Sequence, residues 1–181
     1  MFWIWQEPEL PEPTTKSGVA SVVAGNPSCA RLDSDAIECW GSNVNGYLGD
    51  GNATGLNDRN QSSPVGVLGL GGGSGAAQLS GKRGAVTCAL LASGSAQCWG
   101  ITSSLGIGSA ATGPLTGYAT DTPIPLAVPG ATITSLELGG AACLTTSSGD
   151  ARCWGSNASG QLGDGTTISR ISPTQSVLVG F

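Results

Sequence analysis

One motif recurs along this chain and restricts what it can fold into. It reads CWGSNVNGYLGDG at residues 39–51 and CWGSNASGQLGDG at residues 153–165, and a degraded copy begins CWG at residue 98. Equivalent cysteines of successive copies are 59 and 55 positions apart. Self-similarity at this period predicts a repeat protein, and the unit has the size of a four-stranded propeller blade.

Each copy of the motif is preceded by a second cysteine. The six cysteines form three pairs ten positions apart, namely Cys29 with Cys39, Cys88 with Cys98, and Cys143 with Cys153. Zinc motifs favour shorter spacings, whereas turn-forming residues midway between each pair predict a β-hairpin. Such a hairpin brings the two cysteines opposite each other at about 4.5–5.5 Å, which suits a disulfide. Reduced, buried pairs are the alternative; disulfides favour an extracellular, cell-surface or periplasmic location.

Composition excludes several function classes. Only 7 residues are Lys or Arg and the net charge is −5, so no basic surface for nucleic acid is expected. No apolar run approaches the roughly 20 residues of a membrane span. The chain has no His, which removes nucleophile pairs of the Ser-His or Cys-His type.

The chain divides into an arm and a repeat domain. Residues 1–16 are rich in Pro and Glu after an aromatic start, and predict either an extended tail or an arm that docks on a partner subunit. Residues 17–181 form the repeat domain, with units at about 17–68, 69–129 and 130–181. Each unit predicts strands before, within and after its hairpin; the last strand of each unit is expected near 64–68, 123–128 and 173–179.

The complete motif resembles the repeats of the regulator of chromosome condensation family. The match is clearest at residues 143–173, good at 29–64 and weak at 88–123, and the cysteines are more similar to those of bacterial members. The resemblance implies a seven-bladed β-propeller of four-stranded antiparallel blades that serves as a protein-binding platform. A His that family repeats often carry is replaced here by Pro27, Val86 and Ala141.

Three repeats are too few to close a propeller ring. An open arc would expose strand edges and half of a core at each end, and two-fold association is the usual remedy. We therefore expect an all-β chain with three four-stranded blades that completes a six-bladed ring as a homodimer. The strand at 173–179, or the N-terminal arm, is expected to complete a blade across the dimer interface.

Two insertions interrupt the repeats and are the expected ligand-binding loops. They cover residues 52–62 and 109–120 and offer side chains that suit a protein or a small ligand: Asn57, Asp58, Arg59, Tyr118 and the adjoining Asp121. Ordinary loop variation is the alternative interpretation.

An enzymatic function is the second hypothesis. Without His, a hydrolase of esters or phosphoesters at the propeller axis would use carboxylates, with a divalent metal as an optional cofactor; the candidates are Asp50, Asp58, Asp121 and Glu137. For Asp50 and Asp164, a role in holding the Gly-rich turn is the competing interpretation. A third hypothesis is that the chain is an inactive fragment of a longer propeller.

Overall fold

The structure, a computed structural model, describes residues 17–52, 60–82, 86–101 and 119–173. These residues form short antiparallel strands joined by tight turns. The strands are β1 (Val19–Val23), β2 (Ser28–Leu32), β3 (Ile37–Gly41), β4 (Gln61–Gly66), β5 (Ala76–Lys82), β6 (Val86–Leu91), β7 (Ala96–Gly100), β8 (Thr120–Pro125), β9 (Ile133–Leu138), β10 (Ala141–Thr146) and β11 (Ala151–Gly155). A 3-10 turn, Val44–Gly46, follows β3. No helix in these ranges is long and apolar enough to cross a membrane.

The strands form three sheets, each built from consecutive strands. Strands β1 to β4 form the first sheet, β5 to β8 the second, and β9 to β11 the third. In the third sheet, a bridge between Gly155 and Arg170 takes the place where β4 and β8 pair in the others. The all-β blade architecture expected from the repeats is therefore confirmed, while most of the strand expected at 173–179 lies outside the described residues.

The cysteine pairs lie at the centre of the hairpins, as predicted. Cys29 is paired in register with Cys39, Cys88 with Cys98, and Cys143 with Cys153. Each pair is a disulfide, with Cα atoms 4.0, 4.0 and 4.1 Å apart. The described part of the chain has no free cysteine. The alternative of reduced pairs is not what the structure shows.

The last strands of the first two sheets begin earlier than their prolines indicate. Pro64 and Pro123 were expected to open these strands, but β4 begins at Gln61 and β8 at Thr120. Each of these strands is the outermost one and pairs on one side only. Proline lacks an amide hydrogen, and on an edge strand that loss can face away from the sheet.

The sheets pack face to face through two apolar layers. Between the first and second sheets lie Cys29, Ile37, Cys39, Leu48, Val67, Leu70, Ala76, Leu79, Ala89 and Trp99. Between the second and third lie Val86, Cys88, Leu90, Ala96, Cys98, Leu126, Ile133, Leu136, Ala142, Leu144 and Trp154. At both joints the earlier sheet thus contributes a disulfide and the later sheet a tryptophan, so the same contact between blades occurs twice.

Candidate functional site

The turn after β3 is organised by a buried asparagine. Asn43 is 2% exposed, and its Oδ1 accepts a hydrogen bond from the Leu48 amide at 3.0 Å. Its Nδ2 donates to Oδ1 of Asp50 at 3.3 Å, and the same oxygen accepts from the Asn52 amide at 3.1 Å. Asp50 therefore holds the Gly-rich turn, as the structural interpretation of this carboxylate predicts.

The third repeat builds the same turn with more contacts. Asn157 is fully buried; its Oδ1 accepts from the Leu162 amide at 2.9 Å, and its Nδ2 donates to Oδ1 of Asp164 at 3.2 Å. Asp164 also accepts from the hydroxyl of Thr166 and from Nε of Arg170 at 2.9 Å. The hydrogen bond from Thr166, followed by the contact with Arg170, lowers the pKa of Asp164 from 3.8 to about 2. This ionised carboxylate holds Arg170 beside Gly155.

The joint between the first two sheets seats a tryptophan on this turn. Trp99 is fully buried and its Nε1 donates to the carbonyl oxygen of Tyr47 at 3.1 Å. The indole lies directly over Gly49, where an added Cβ would be 2.7 Å from Cδ1 of the ring. Gly49 also has a φ of +67°, which disfavours any side chain. Trp99 and Gly49 are therefore the two halves of one contact between the first and second blades.

Strand β8 of the second sheet makes another contact with the same turn. An added Cβ on Gly46 would lie 2.4 Å from the Cα of Asp121, so the outer strand of the second sheet rests on the turn of the first. The Gly51 amide also donates to the carbonyl of Asp121 at 2.9 Å. Trp99 and Asp121 together cover the first turn.

No other described sheet packs on the outer face of the first sheet, and we call this the N-terminal face. Val22 pairs with the residue after the first cysteine, as Leu79 and Leu136 do in the other sheets. Leu79 and Leu136 are 8% and 0% exposed, whereas Val22 is 55% exposed. Val19 is 39% exposed, although its counterparts Ala76 and Ile133 are buried. Trp40 is partly buried where Trp99 and Trp154 are fully buried.

The face of the third sheet that points away from the second sheet has no other described sheet packed on it, and we call it the C-terminal face. It carries the Cys143–Cys153 disulfide and the turn at 160–165 around Leu162. Gly163 corresponds to Gly49 and has nearly the same φ, +69°, but no atom of the described residues lies within 4 Å of an added Cβ. Within the described part of the chain, the space that Trp99 fills at the first turn is empty at the third.

The carboxylates predicted for a hydrolase lie at different places in the fold. Asp121 is 2% exposed and lies beside the first turn, near Asp50. Glu137 lies at another joint, where its Oε1 accepts from Nε2 of Gln78 at 2.8 Å. Within the described ranges, no group of three or more His, Cys, Asp or Glu residues is placed to hold a metal ion. Asp58 lies outside these ranges.

The two insertion loops approach each other at the first joint. Asn57, Asp58, Arg59 and Tyr118 are outside the described residues, as is the start of the second loop, but both ends of the first loop and the end of the second are described. The bond from Gly51 to Asp121 joins the start of the first loop to the end of the second. Asn60 closes the first loop by accepting from the Asn43 amide at 3.3 Å. The start of the first loop and the end of the second therefore lie side by side at the first joint.

The sequence analysis did not identify the asparagines that organise the turns or the exposure of the first strand. Asn43 and Asn157 read as ordinary turn residues, although each stands five positions before the buried Leu and seven before the Asp of its turn. That fixed spacing was the available signal. The apolar character of Val19 and Val22 fits a buried strand equally well, so their exposure had no signal within β1 itself. Only the count of three repeats predicted that half of a core would be exposed at the ends of the arc.

Three solved structures superpose on this arrangement of sheets. Human WBSCR16 superposes with a TM-score of 0.67 and 21% identity over 86% of this chain. Yeast RCC1 (Prp20), solved bound to Kap60, gives 0.58 and 22% over 82%. Prp20p from Saccharomyces cerevisiae, studied with its binding to Gsp1p and histones, gives 0.57 and 20% over 83%.

The chain spans 37%, 34% and 34% of the lengths of these three structures. No protein-family model matches the sequence, and no curated protein matches it. The likeness in three dimensions confirms the propeller expected from the repeats. In fold, this chain is three successive blades of a β-propeller of the RCC1 type.

Proposed function

We propose that this chain is a protein-binding propeller module and that the parts of the two insertions outside β4 and β8, residues 52–60 and 109–119, form its recognition surface. The observation that carries the proposal is the hydrogen bond between Gly51 and Asp121, which brings the start of the first loop beside the end of the second. Adjacent loops on a rigid sheet scaffold are a common arrangement for binding. Yeast RCC1 (Prp20), a protein of the same fold, has been solved bound to Kap60, and this supports a protein partner here.

Residues of the loops suit a protein partner. Arg59 and Tyr118 belong to the types enriched at the energetic centres of interfaces, and Asn57 and Asp58 add polar contacts at the rim. The second insertion ends in buried residues of the scaffold, since Ala119, Thr120 and Asp121 are 6%, 1% and 2% exposed. We expect the partner to contact both loops together.

The experiment compares loop variants with a scaffold control. A partner captured from the source organism is identified by mass spectrometry and titrated calorimetrically against the wild type, Arg59→Ala, Tyr118→Ala and Ser148→Ala. Ser148 lies in the exposed turn between β10 and β11. Each loop variant is expected to weaken binding by about tenfold or more, while Ser148→Ala leaves it unchanged. Equal affinity for all four proteins would contradict the proposal.

We further propose that two copies of the chain complete the ring. Val19 and Val22 are the supporting observation, because the equivalent side chains are buried at both internal joints. Two sets of three blades give six, a usual propeller number, and a two-fold dimer is the commonest closed assembly. Light scattering after size exclusion tests this by mass.

The three disulfides are compatible with an oxidising environment. We propose that the module works outside the cytosol, at the cell surface or in the periplasm. Localisation of a tagged full-length protein tests this, and a strictly cytosolic signal would contradict it.

A further inference from the structure

We propose that Trp40 of one copy seats on Gly163 of a second copy, so that the two end faces form a joint like the one between the first two sheets. This inference rests on the proposed dimer and names the contact that closes it. By two-fold symmetry the joint occurs twice, and each copy contributes its N-terminal face to one joint and its C-terminal face to the other.

The receiving turn already has the required shape. Gly160, Gly163 and Gly165 have φ angles of +73°, +69° and +71°, against +71°, +67° and +73° at the covered turn of the first repeat. The amide of Gly163 donates to Gly160 at 3.0 Å, as the amide of Gly49 donates to Gly46. The turn therefore needs no rearrangement to accept an indole ring.

The incoming residue also has the required position. Trp40 pairs in register with Ser28, as Trp99 pairs with Thr87. At the internal joint, the ring nitrogen of Trp99 donates to Tyr47. Gln161 occupies the same place in the third turn, so its carbonyl is the expected acceptor for Nε1 of Trp40.

The outer strand completes the match. Asp121 rests on Gly46 and accepts from Gly51 at the internal joint. The residue at the same place in β4 is Ser62, which follows Gln61 as Asp121 follows Thr120. Ser62 is exposed, whereas Asp121 is buried. We expect the Ser62 backbone to cover Gly160 and Gly165 of the second copy.

A second copy is favoured as the occupant because this chain carries both halves of the joint. The N-terminal face offers the tryptophan and two exposed valines, and the C-terminal face offers an uncovered glycine turn beside a disulfide. The counterparts of both faces, Trp99 and the turn at Gly49, are in contact with each other inside the same chain. A partner unrelated in sequence would have to reproduce this complementarity by other means.

The test measures dimer dissociation by sedimentation for the wild type, Trp40→Ala, Trp40→Phe, Gly163→Ala and a control, Gly130→Ala. Gly130 has the same φ of +69° and the same open surroundings as Gly163, so both substitutions impose equal backbone strain. Trp40→Ala and Gly163→Ala are expected to raise the dissociation constant about a hundredfold or more, and Trp40→Phe by less. Gly130→Ala is expected to match the wild type.

Mixing Trp40→Ala with Gly163→Ala sharpens the test. The mixed dimer contains one intact joint, whereas each variant alone damages both, so the mixture is expected to dimerise more tightly than either component. A dimeric wild type with unaffected variants, or a mixture no tighter than its components, would overturn the Trp40 contact while leaving the dimer in place. A monomeric wild type would overturn both.

Discussion

Replacing Gly49 by alanine tests whether the tryptophan-on-glycine contact holds neighbouring blades together. A Cβ at this position would lie 2.7 Å from Cδ1, 2.8 Å from Nε1 and 2.9 Å from Cγ of Trp99. Trp99 is fully buried, so its ring cannot move aside without opening the apolar layer between the sheets. The substitution therefore adds a steric cost to a backbone cost.

The two costs can be separated. A side chain at φ +67° costs about 1–2 kcal/mol by itself. Overpacking a close-packed interior costs a further ~1–3 kcal/mol. Gly49→Ala should therefore reduce the free energy of unfolding by about 2–5 kcal/mol, and Gly130→Ala, with φ +69° and no neighbour within 4 Å, by about 1–2 kcal/mol.

Urea unfolding followed by circular dichroism, with the disulfides intact, measures both variants. A double-mutant cycle with Trp99→Ala isolates the contact, because the cost of Gly49→Ala should fall to that of Gly130→Ala once the indole is absent. Equal destabilisation by Gly49→Ala and Gly130→Ala in the wild-type background would refute the placement of Trp99 over Gly49.

Three further predictions concern the turns and disulfides. Asn157→Ala should destabilise the chain by about 2–3 kcal/mol in urea, since it leaves the Leu162 amide without its acceptor. Asp164, with its pKa lowered to about 2, contributes stability that is complete above pH 4 and is lost as the pH falls toward 2; Asp164→Asn should flatten this part of the pH profile of urea midpoints. Thiol titration after denaturation should find none of the six cysteines reactive before reduction.

Each of these predictions has a contradicting result. Asn157→Ala with the same urea midpoint as the wild type would remove the asparagine from its organising role. An unchanged acid profile for Asp164→Asn would mean that the contacts with Thr166 and Arg170 do not favour the ionised carboxylate. Six reactive thiols before reduction would remove the disulfides.

Much of the scaffold could be predicted from the sequence because its signals are local. The cysteine spacing predicted the hairpin register, which is set within ten residues by the turn at its centre. The motif period predicted the size of the blade, and a role in holding the turn was one of the two interpretations that the sequence offered for Asp50. The early start of β4 was missed, because the tolerance of Pro64 depends on its lying in an edge strand.

The site depends on contacts between repeats, which the sequence does not record. Trp99 and Gly49 are 50 positions apart, and only the stacking of two sheets brings them together. Asp121 and Gly51 meet for the same reason. Burial of Leu79 and exposure of Val22 follow from whether a preceding blade is present, so identical sequence patterns have opposite environments.

The central claim is that the two end faces of this chain are halves of one joint. Sedimentation equilibrium of the purified 181-residue chain tests it most directly. A single species with twice the 17.8 kDa mass of one chain, at micromolar concentration, is the predicted result. A stable species with the mass of one chain would contradict the claim.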